Sequence, residues 1–431
     1  MSSQASDPAR RILEDGWVPD PGYTMPNRRR YHWQWLWDSS FHAIAWSGLG
    51  DQRAVTELET LFSLQEKSGF LPHMGYHGKP WASLTQWRSF GHSDITQPPM
   101  YGHALRVLDS RGFNVSHLIK PATDALLYLF RERLDPATGL LRIVHPWESG
   151  ADDSPRWDHW HHGKFHRQLW NIRKYRMVRS LVVDHGAAVA NPKFEVAPAS
   201  FNALVAFNAR ELGEMTHNQE LLDLADKLVT NIEKTWSPAK RTWVDVAPKT
   251  GAVTSDVETL DSLLPILVSK DKAHVKAAFD ALFDDREFWR PFGPSGVAAS
   301  EPTYEPGRYW RGSAWPQLIY LLWIGATRLG LSREADLLAA ALDMGVTVSG
   351  HAEHWNPETG QGQGAIPQGW AALGHEVEGA AQHIGQPPVD PSMTPLRWRM
   401  WNYRHDGSAR SAPGPPAPNA VAGNGRGALS H

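Results

Sequence analysis

The chain of 431 residues contains no cysteine, which excludes a disulfide framework and any thiolate-zinc site. No run of about 18 apolar residues is present, so no segment reads as a membrane span. There is no basic block, and the net charge is −3, so the electrostatic footprint of a nucleic-acid binder is missing. The first residues, MSSQASDPARRILEDGW, lack the apolar region of a secretory signal. No Gly-rich phosphate loop follows a strand, and there is no Gly-x-Ser-x-Gly elbow and no His-Glu-x-x-His. His159, His161, His162 and His166 read as a His-rich surface turn rather than a zinc site. These absences leave a soluble, cytoplasmic protein, with no membrane or nucleic-acid partner and with no metal or cofactor expected. Self-association stays open.

Tryptophan is what the chain has in quantity, 21 residues of it. Aromatic side chains build large cores, but many of these indoles flank Gly, Pro, Asp, Gln or Arg, as in YHWQWLWDSS, HPWESG, YWRGSAWP, EHWNPETG and IPQGW. Core helices do not have that composition. Indoles beside fixed polar groups suit a pocket that holds a sugar, ring face against C–H surface and amide or carboxylate against hydroxyl.

Helical periodicity dominates the rest. Leu221, Leu224, Ala225, Leu228 and Ile232 fall on one face of an amphipathic helix, and Val275, Ala278, Phe279 and Leu282 repeat the pattern. Similar stretches cover 51–66, 99–111, 117–133, 167–183, 198–214, 313–329 and 332–347. Turn signals separate them, Ser-Gly at 68–69, Asp-Pro-Ala-Thr-Gly at 135–139 and Lys-Thr-Gly at 249–251 among them. Roughly a dozen helices make an all-α protein. Paired as hairpins and closed into a ring they give an (α/α)6 barrel. An open solenoid would show a fixed repeat period, and none is found. The Trp- and acid-rich segments lie between helices, where loops line one mouth of such a barrel. Residues 1–385 read as one catalytic domain. The Pro/Gly-rich tail, 386–431, reads as largely disordered.

One segment, HPWESGADDSPRWDHW at 145–160, carries the chemistry. Ser154 before Pro155 is a helix start, so Asp152 and Asp153 sit just ahead of it and point in different directions. Asp153 is accounted for by the helix dipole. Asp152 is not, since Trp147, Glu148 and Gly150 have no part in capping. A glycosidic bond needs two carboxylic groups: one protonated acid for the leaving oxygen and one carboxylate to activate water or attack the anomeric carbon. The best second carboxylate is Glu353 in HAEHWNPETGQGQG, again in a Trp- and Gly-rich loop.

WESGADDSPRWD, YHWQWLWDSSFHA, DITQPP, YWRGSAWP and AEHWNPETG, in order from about Tyr31 to Trp370, resemble the motifs of glycoside hydrolase family 63. They are most similar to its short bacterial glucosylglycerate and mannosylglycerate hydrolases. The resemblance implies an (α/α)6 barrel and hydrolysis of an α-glycoside with inversion, Asp152 being the general acid and Glu353 the general base. It places Asp38 on hydroxyls of the sugar being cleaved, with Tyr31, Trp35 and Trp37 as the aromatic wall beside it. Gln97, Trp147, Gly150, Trp310, Gly312, Trp315 and Gln368 match further sugar contacts. Arg311 joins them, with a structural ion pair as its alternative, which is also the reading of Arg156. Glu148 stands between sugar contact and support for the acid.

Two departures mark this chain. The family usually has Asn where Asp153 stands. Between about 160 and 200 the sequence does not follow the family, and there Arg173, Lys174, Arg176 and Arg179 read as helical cations on a solvated face rather than as a site for an anionic aglycone. The substrate is then a small soluble glycoside, glucosylglycerate or mannosylglycerate or a short α-glucoside. The competing classes are a non-catalytic carbohydrate-binding protein and a sugar epimerase on the same barrel. An epimerase should place histidines at the sugar carbon.

Overall fold

Where apolar residues recur every three or four positions, helices form. The computed structural model describes residues 7–161 and 163–378; the tail expected at 386–431 and His162 lie outside the described residues. Among these residues the α-helices in chain order are α1 (Pro8–Gly16), α2 (Leu36–Gly48), α3 (Arg53–Phe62), α4 (Tyr101–Ser110), α5 (Ile119–Arg133) and the single turn α6 (Asp158–His161). There follow α7 (Arg167–Arg179), α8 (Ala199–Thr216), α9 (Gln219–Glu233), α10 (Lys272–Leu282), α11 (Pro316–Arg328) and α12 (Ser332–Val348). Strands occur only as short two-stranded antiparallel pairs, so the architecture is all-α. Among the described residues no helix is long and apolar enough to cross a membrane.

Local chemistry sets the boundaries. In α9 the periodic residues Leu221, Ala225, Leu228 and Ile232 are buried, and Asn218 Oδ1 caps the start by accepting from Leu221 N at 3.2 Å. Asp271 does the same for α10, accepting from Ala273 N at 2.8 Å and His274 N at 3.1 Å. α2 differs, since its residues are buried from Leu36 through Ser47. A helix buried on all sides has no polar face to show in sequence.

The packing follows one order. α2, α4, α8, the 3₁₀ segment Leu260–Leu267, α11 and the 3₁₀ segment Gly369–Val377 each lie against the next, and the last packs back on α2. Outside them, α3 lies on α2 and α4, α5 on α4 and α8, and α9 on α8 and α5. α10 covers Leu260–Leu267, α12 covers α11 and Gly369–Val377, and α1 covers α2 and Gly369–Val377. The helical stretch expected over 167–183 stops at Arg179, and a short antiparallel pair, Val182–Asp184 with Ala187–Ala190, takes up the chain.

Arg156 is a structural ion pair. Its guanidinium is buried, with Nη1 donating to Asp245 Oδ2 at 2.9 Å and Nη2 to Asp261 Oδ2. This ties the loop before α6 to the segment Leu260–Leu267. Removing one member of a buried pair strands its partner's charge, at a cost of about 3–5 kcal/mol. Arg156→Met is expected to lose stability in that range, measured by denaturant unfolding.

Candidate active site

Three connections carry the residues that matter. Ahead of α2, the strand Gln34–Trp35 pairs with Met74–Gly75, so that Trp35 stands opposite Met74. After α12, His354–Trp355 pairs with Gly362–Gln363, which sets Glu353 against Gly364 and Ala365. Ahead of α6, Ser154 Oγ accepts from Arg156 N at 3.4 Å and starts a 3₁₀ turn at Pro155. That turn fixes Asp152 and Asp153 at the end of their loop.

These connections line one cavity of about 250 Å³, at the small end of the roughly 300–1,000 Å³ usual for ligand pockets. Asp152 and Glu353 are both in its wall, with Tyr31, Trp35, Trp37, Asp38, Gln97, Trp147, Gly150, Trp310 and Gln368. Glu353 is 2% exposed. Tyr31 Oη donates to its Oε1 at 2.8 Å, and Ala365 N donates to its Oε2 at 2.8 Å. Burial pushes the Glu353 carboxyl above the usual carboxylate range, with the charge of Asp152 adding to it; the two hydrogen bonds and Arg30 work against the rise. Gly364 has φ +76°, and a Cβ there would stand 2.3 Å from Glu353 Oε2, so the loop can close over the carboxylate only with glycine at that position.

Asp38 is also buried, and burial raises its carboxyl to about 7, with Glu353 and Glu57 adding to the effect and His42 opposing it. Gln368 Nε2 donates to Asp38 Oδ1 at 3.5 Å. Aromatic rings close the walls. Trp37 meets Trp370 edge-on at 5.7 Å, Tyr31 meets Trp35 at 6.0 Å, and Trp147 lies between Trp87 at 6.0 Å and Tyr175 at 5.6 Å. Gly150, at φ +75°, lets the Trp37 ring approach to where a Cβ would be 2.5 Å away.

Four expected contacts are placed elsewhere. Glu148 is fully buried behind the wall: Arg133 grips both its oxygens at 2.8 and 2.9 Å, and the amides of Thr96 and Val144 donate to them. Its charge is spent on the fold, because a carboxylate out of water needs a countercharge. Arg311 makes a bidentate pair with Asp158, 2.8 Å on both arms, which is its structural alternative. Trp315 is fully buried beneath Trp310, the rings stacked at 3.6 Å, so it backs the wall rather than lining it. Gly312 holds the turn, its carbonyl accepting from Gly296 N at 3.3 Å.

Two readings of charge are corrected as well. Asp153 does not serve the helix terminus: it is 2% exposed, with Lys174 Nζ 2.6 Å from Oδ1 and Arg167 Nε 3.2 Å from Oδ2. Lys174 is not a solvated cation, since it is as buried as its partner and also donates to Asp152 Oδ2. Arg173 donates to the Trp160 carbonyl at 2.9 Å. The wall also contains residues not singled out from sequence: Pro26, His73, Met74, Gln86, Trp87, Tyr175, Tyr309 and Trp370. Tyr309 and Trp370 stand inside motifs already quoted, YWRGSAWP and IPQGW. His73 and Gln86 come from the connection between α3 and α4, which has no periodicity to announce them.

Two carboxylates from distant loops, Glu353 buried and Asp152 partly exposed, facing one indole-walled cavity, are the equipment of a glycoside hydrolase. Residues 31–371 match the family model described as the mannosylglycerate hydrolase MGH1-like glycoside hydrolase domain. The chain belongs to that family and is a glycoside hydrolase. A mannosylglycerate hydrolase of Thermus thermophilus is 27% identical over 405 residues, spanning 81% of this chain and 95% of its own. The glucosylglycerate hydrolase of Mycolicibacterium hassiacum is 26% identical over 410 residues, 79% of this chain and 90% of its own. Among solved structures, a family 63 mannosylglycerate hydrolase of Thermus thermophilus in complex with Tris and D-glycerate superposes with a TM-score of 0.76 at 25% identity. That match covers 85% of this chain and 98% of the other.

The placement of Glu148 is testable. Glu148→Gln strands Arg133, so stability should fall by about 3–5 kcal/mol, while substrate affinity per folded molecule stays near that of the parent. Unfolding curves and KM measured on the same preparation separate this from a sugar contact, which would raise KM.

Proposed function

We propose that the protein is an inverting α-glycosidase acting on a small soluble α-glycoside: glucosylglycerate or mannosylglycerate, or a short α-glucoside. The observation that carries this reading is the joint presence of Asp152 and Glu353 in the wall of one small cavity. The order in which α2, α4, α8, Leu260–Leu267, α11 and Gly369–Val377 pack, with the other helices outside them, supports an (α/α)6 barrel as the scaffold of a single catalytic domain. The names of the similar proteins support glycerate as the aglycone.

In this reading Asp152 donates its proton to the glycosidic oxygen as the anomeric C–O bond breaks. Glu353 takes a proton from the water that attacks the opposite face. Glu353 suits the base because its hydrogen-bond donors are a hydroxyl and an amide, which orient the carboxylate without neutralising it, while Arg30 stays 4.0 Å away. Burial makes it a stronger base than an ordinary glutamate. Asp38 grips sugar hydroxyls, and Gln97, Gln368 and the rings of Trp35, Trp37, Trp147 and Trp310 shape the subsite for one terminal sugar.

Hydrolysis followed by proton NMR tests the assignment, and an inverting enzyme releases the β anomer first from an α-glycoside. Asp152→Asn is expected to lose about 10²–10⁴-fold in kcat on the glycoside but to keep cleaving an α-glycosyl fluoride, whose leaving group needs no proton. Glu353→Gln should fail on both. Release of the α anomer would contradict inversion.

The pH profile gives a second check. The base must be ionised, so activity is lost as pH falls through its pKa, and for Glu353 that limb lies above the usual carboxylate range. The Tyr31 hydrogen bond favours the ionised form, so Tyr31→Phe raises the pKa further. The acidic limb of kcat/KM should move to higher pH, whatever the change in kcat.

A further inference from the structure

Lys174 is buried on α7 between two carboxylates. Nζ donates to Asp152 Oδ2 and, at 2.6 Å, to Asp153 Oδ1. Asp153 has a second cation in Arg167 and keeps a countercharge if the ammonium turns away. Asp152 is the more exposed of the two, its side chain 17% accessible against 3%, and it faces the cavity. An ammonium has three N–H donors, and among the described residues two are engaged. The aromatic wall continues at Trp147, whose ring centroid is 5.8 Å from Nζ.

This contact opposes the task assigned to Asp152. A general acid must carry a proton when the leaving oxygen departs, and an ammonium against a carboxylate favours the form without one. The contact suits the resting enzyme and not the reacting one, so the substrate itself has to weaken it. We propose, resting on the assignment of Asp152 as the acid, that Lys174 is a positioning residue that makes protonation of Asp152 depend on an anionic aglycone. A carboxylate on the carbon that bears the glycosidic oxygen is held close to the atom Asp152 protonates. It engages the free N–H of Lys174 and competes with Asp152 for the cation, and Asp152 takes one proton from solvent. That proton passes to the glycosidic oxygen as the C–O bond breaks, while Glu353 removes one from the attacking water. A neutral aglycone leaves Lys174 on Asp152.

The remaining groups around Lys174 are compatible with this. His145 Nε2 is bonded to the Lys174 carbonyl at 3.0 Å, and burial holds the imidazole down to about 3, so it is neutral. Burial and the nearby Tyr31 push the Tyr309 hydroxyl well above its ordinary value, with Asp152, Glu353 and Asp153 adding to the rise. Arg167, on α7 itself, is committed to Asp153. Arg30, its side chain 49% exposed, lies 4.0 Å from Glu353 Oε2, and Lys174 is the cation bonded to Asp152.

The test is calorimetric. Glu353→Gln enzyme, which binds without turnover, is titrated near neutral pH with α-glucosylglycerate, α-mannosylglycerate and the neutral isostere α-glucosylglycerol, in buffers of different ionisation enthalpy. A bound glycerate glycoside should take up about one proton per site, and the glycerol glycoside close to none. Adding Asp152→Asn should abolish the uptake. In the pair Asp153→Asn with Lys174→Met, which removes both charges together, no ammonium is left for the anion to draw away from Asp152. Uptake should then fall well below one proton per site. In the enzyme with Glu353 intact, the same pair should move the alkaline limb of kcat/KM up by about one pH unit and cut the kcat preference for the charged aglycone about tenfold. Binding of a glycerate glycoside with no proton uptake, or uptake that survives Asp152→Asn, overturns the inference and leaves the proposed function standing. Binding of neither glycerate glycoside overturns the proposed function, and the inference with it.

Discussion

Taking a carboxylate out of water costs several kcal/mol unless a partner compensates, and this protein does so repeatedly. The choice of partner sorts the carboxylates. Glu148, Asp245 and Asp261 face buried guanidinium groups, Arg133 for the first and Arg156 for the other two. Each pair joins segments distant in sequence and leaves no charge available to a ligand. Glu353 and Asp38 are buried as deeply but take their hydrogen bonds from neutral donors, a phenol and an amide for the first and a glutamine for the second, with Arg30 no nearer than 4.0 Å to Glu353 Oε2. Neutral dipoles fix a direction while leaving the charge, or the proton, for other work.

That division accounts for the tryptophans. An indole wall removes water from the carboxylates it adjoins and raises their proton affinity, which happens to Glu353 and Asp38. The same rings present flat apolar faces to a sugar. Trp310 lines the cavity while Trp315 stacks behind it at 3.6 Å, so the wall is two indoles thick at that point and its inner ring has little freedom to tilt. Aromatic content beyond what a core requires is divided between lining and backing.

Much of this was legible in the sequence, and the failures share a cause. α9 and α10 were readable because each has one wet face and one dry one, with a capping Asn or Asp at the start. Leu260–Leu267 and Gly369–Val377 were not, because they are short, buried and 3₁₀ rather than α. Pro265 adds to the difficulty, since a proline inside an apolar run argues against helix. The motifs led to most of the cavity wall, because a loop that must place a side chain is written in rare residues such as Trp, Gly and Pro. They did not say which charge pairs with which. Arg133 reaches Glu148 across 15 positions, and Arg156 reaches Asp245 across 89 and Asp261 across 105. Nothing in local spacing encodes such partners.

Lys174 is the sharpest instance. Along α7 the residues RQLWNIRKYRMVR show cations at 167, 173, 174, 176 and 179, and by pattern alone Lys174 is no different from its neighbours. What separates it is the direction of its side chain, inward toward the loop that ends in Asp152 and Asp153. Asp153 adds a buried negative charge beside Asp152, and a buried charge requires an answer. The lysine is that answer, and the two residues make sense only together. By answering Asp153 the ammonium also comes to rest on Asp152, the one carboxylate of the proposed pair whose side-chain hydrogen bond comes from a cation. The same step that makes the second aspartate tolerable therefore places a positive charge at the point where the proposed chemistry needs a proton.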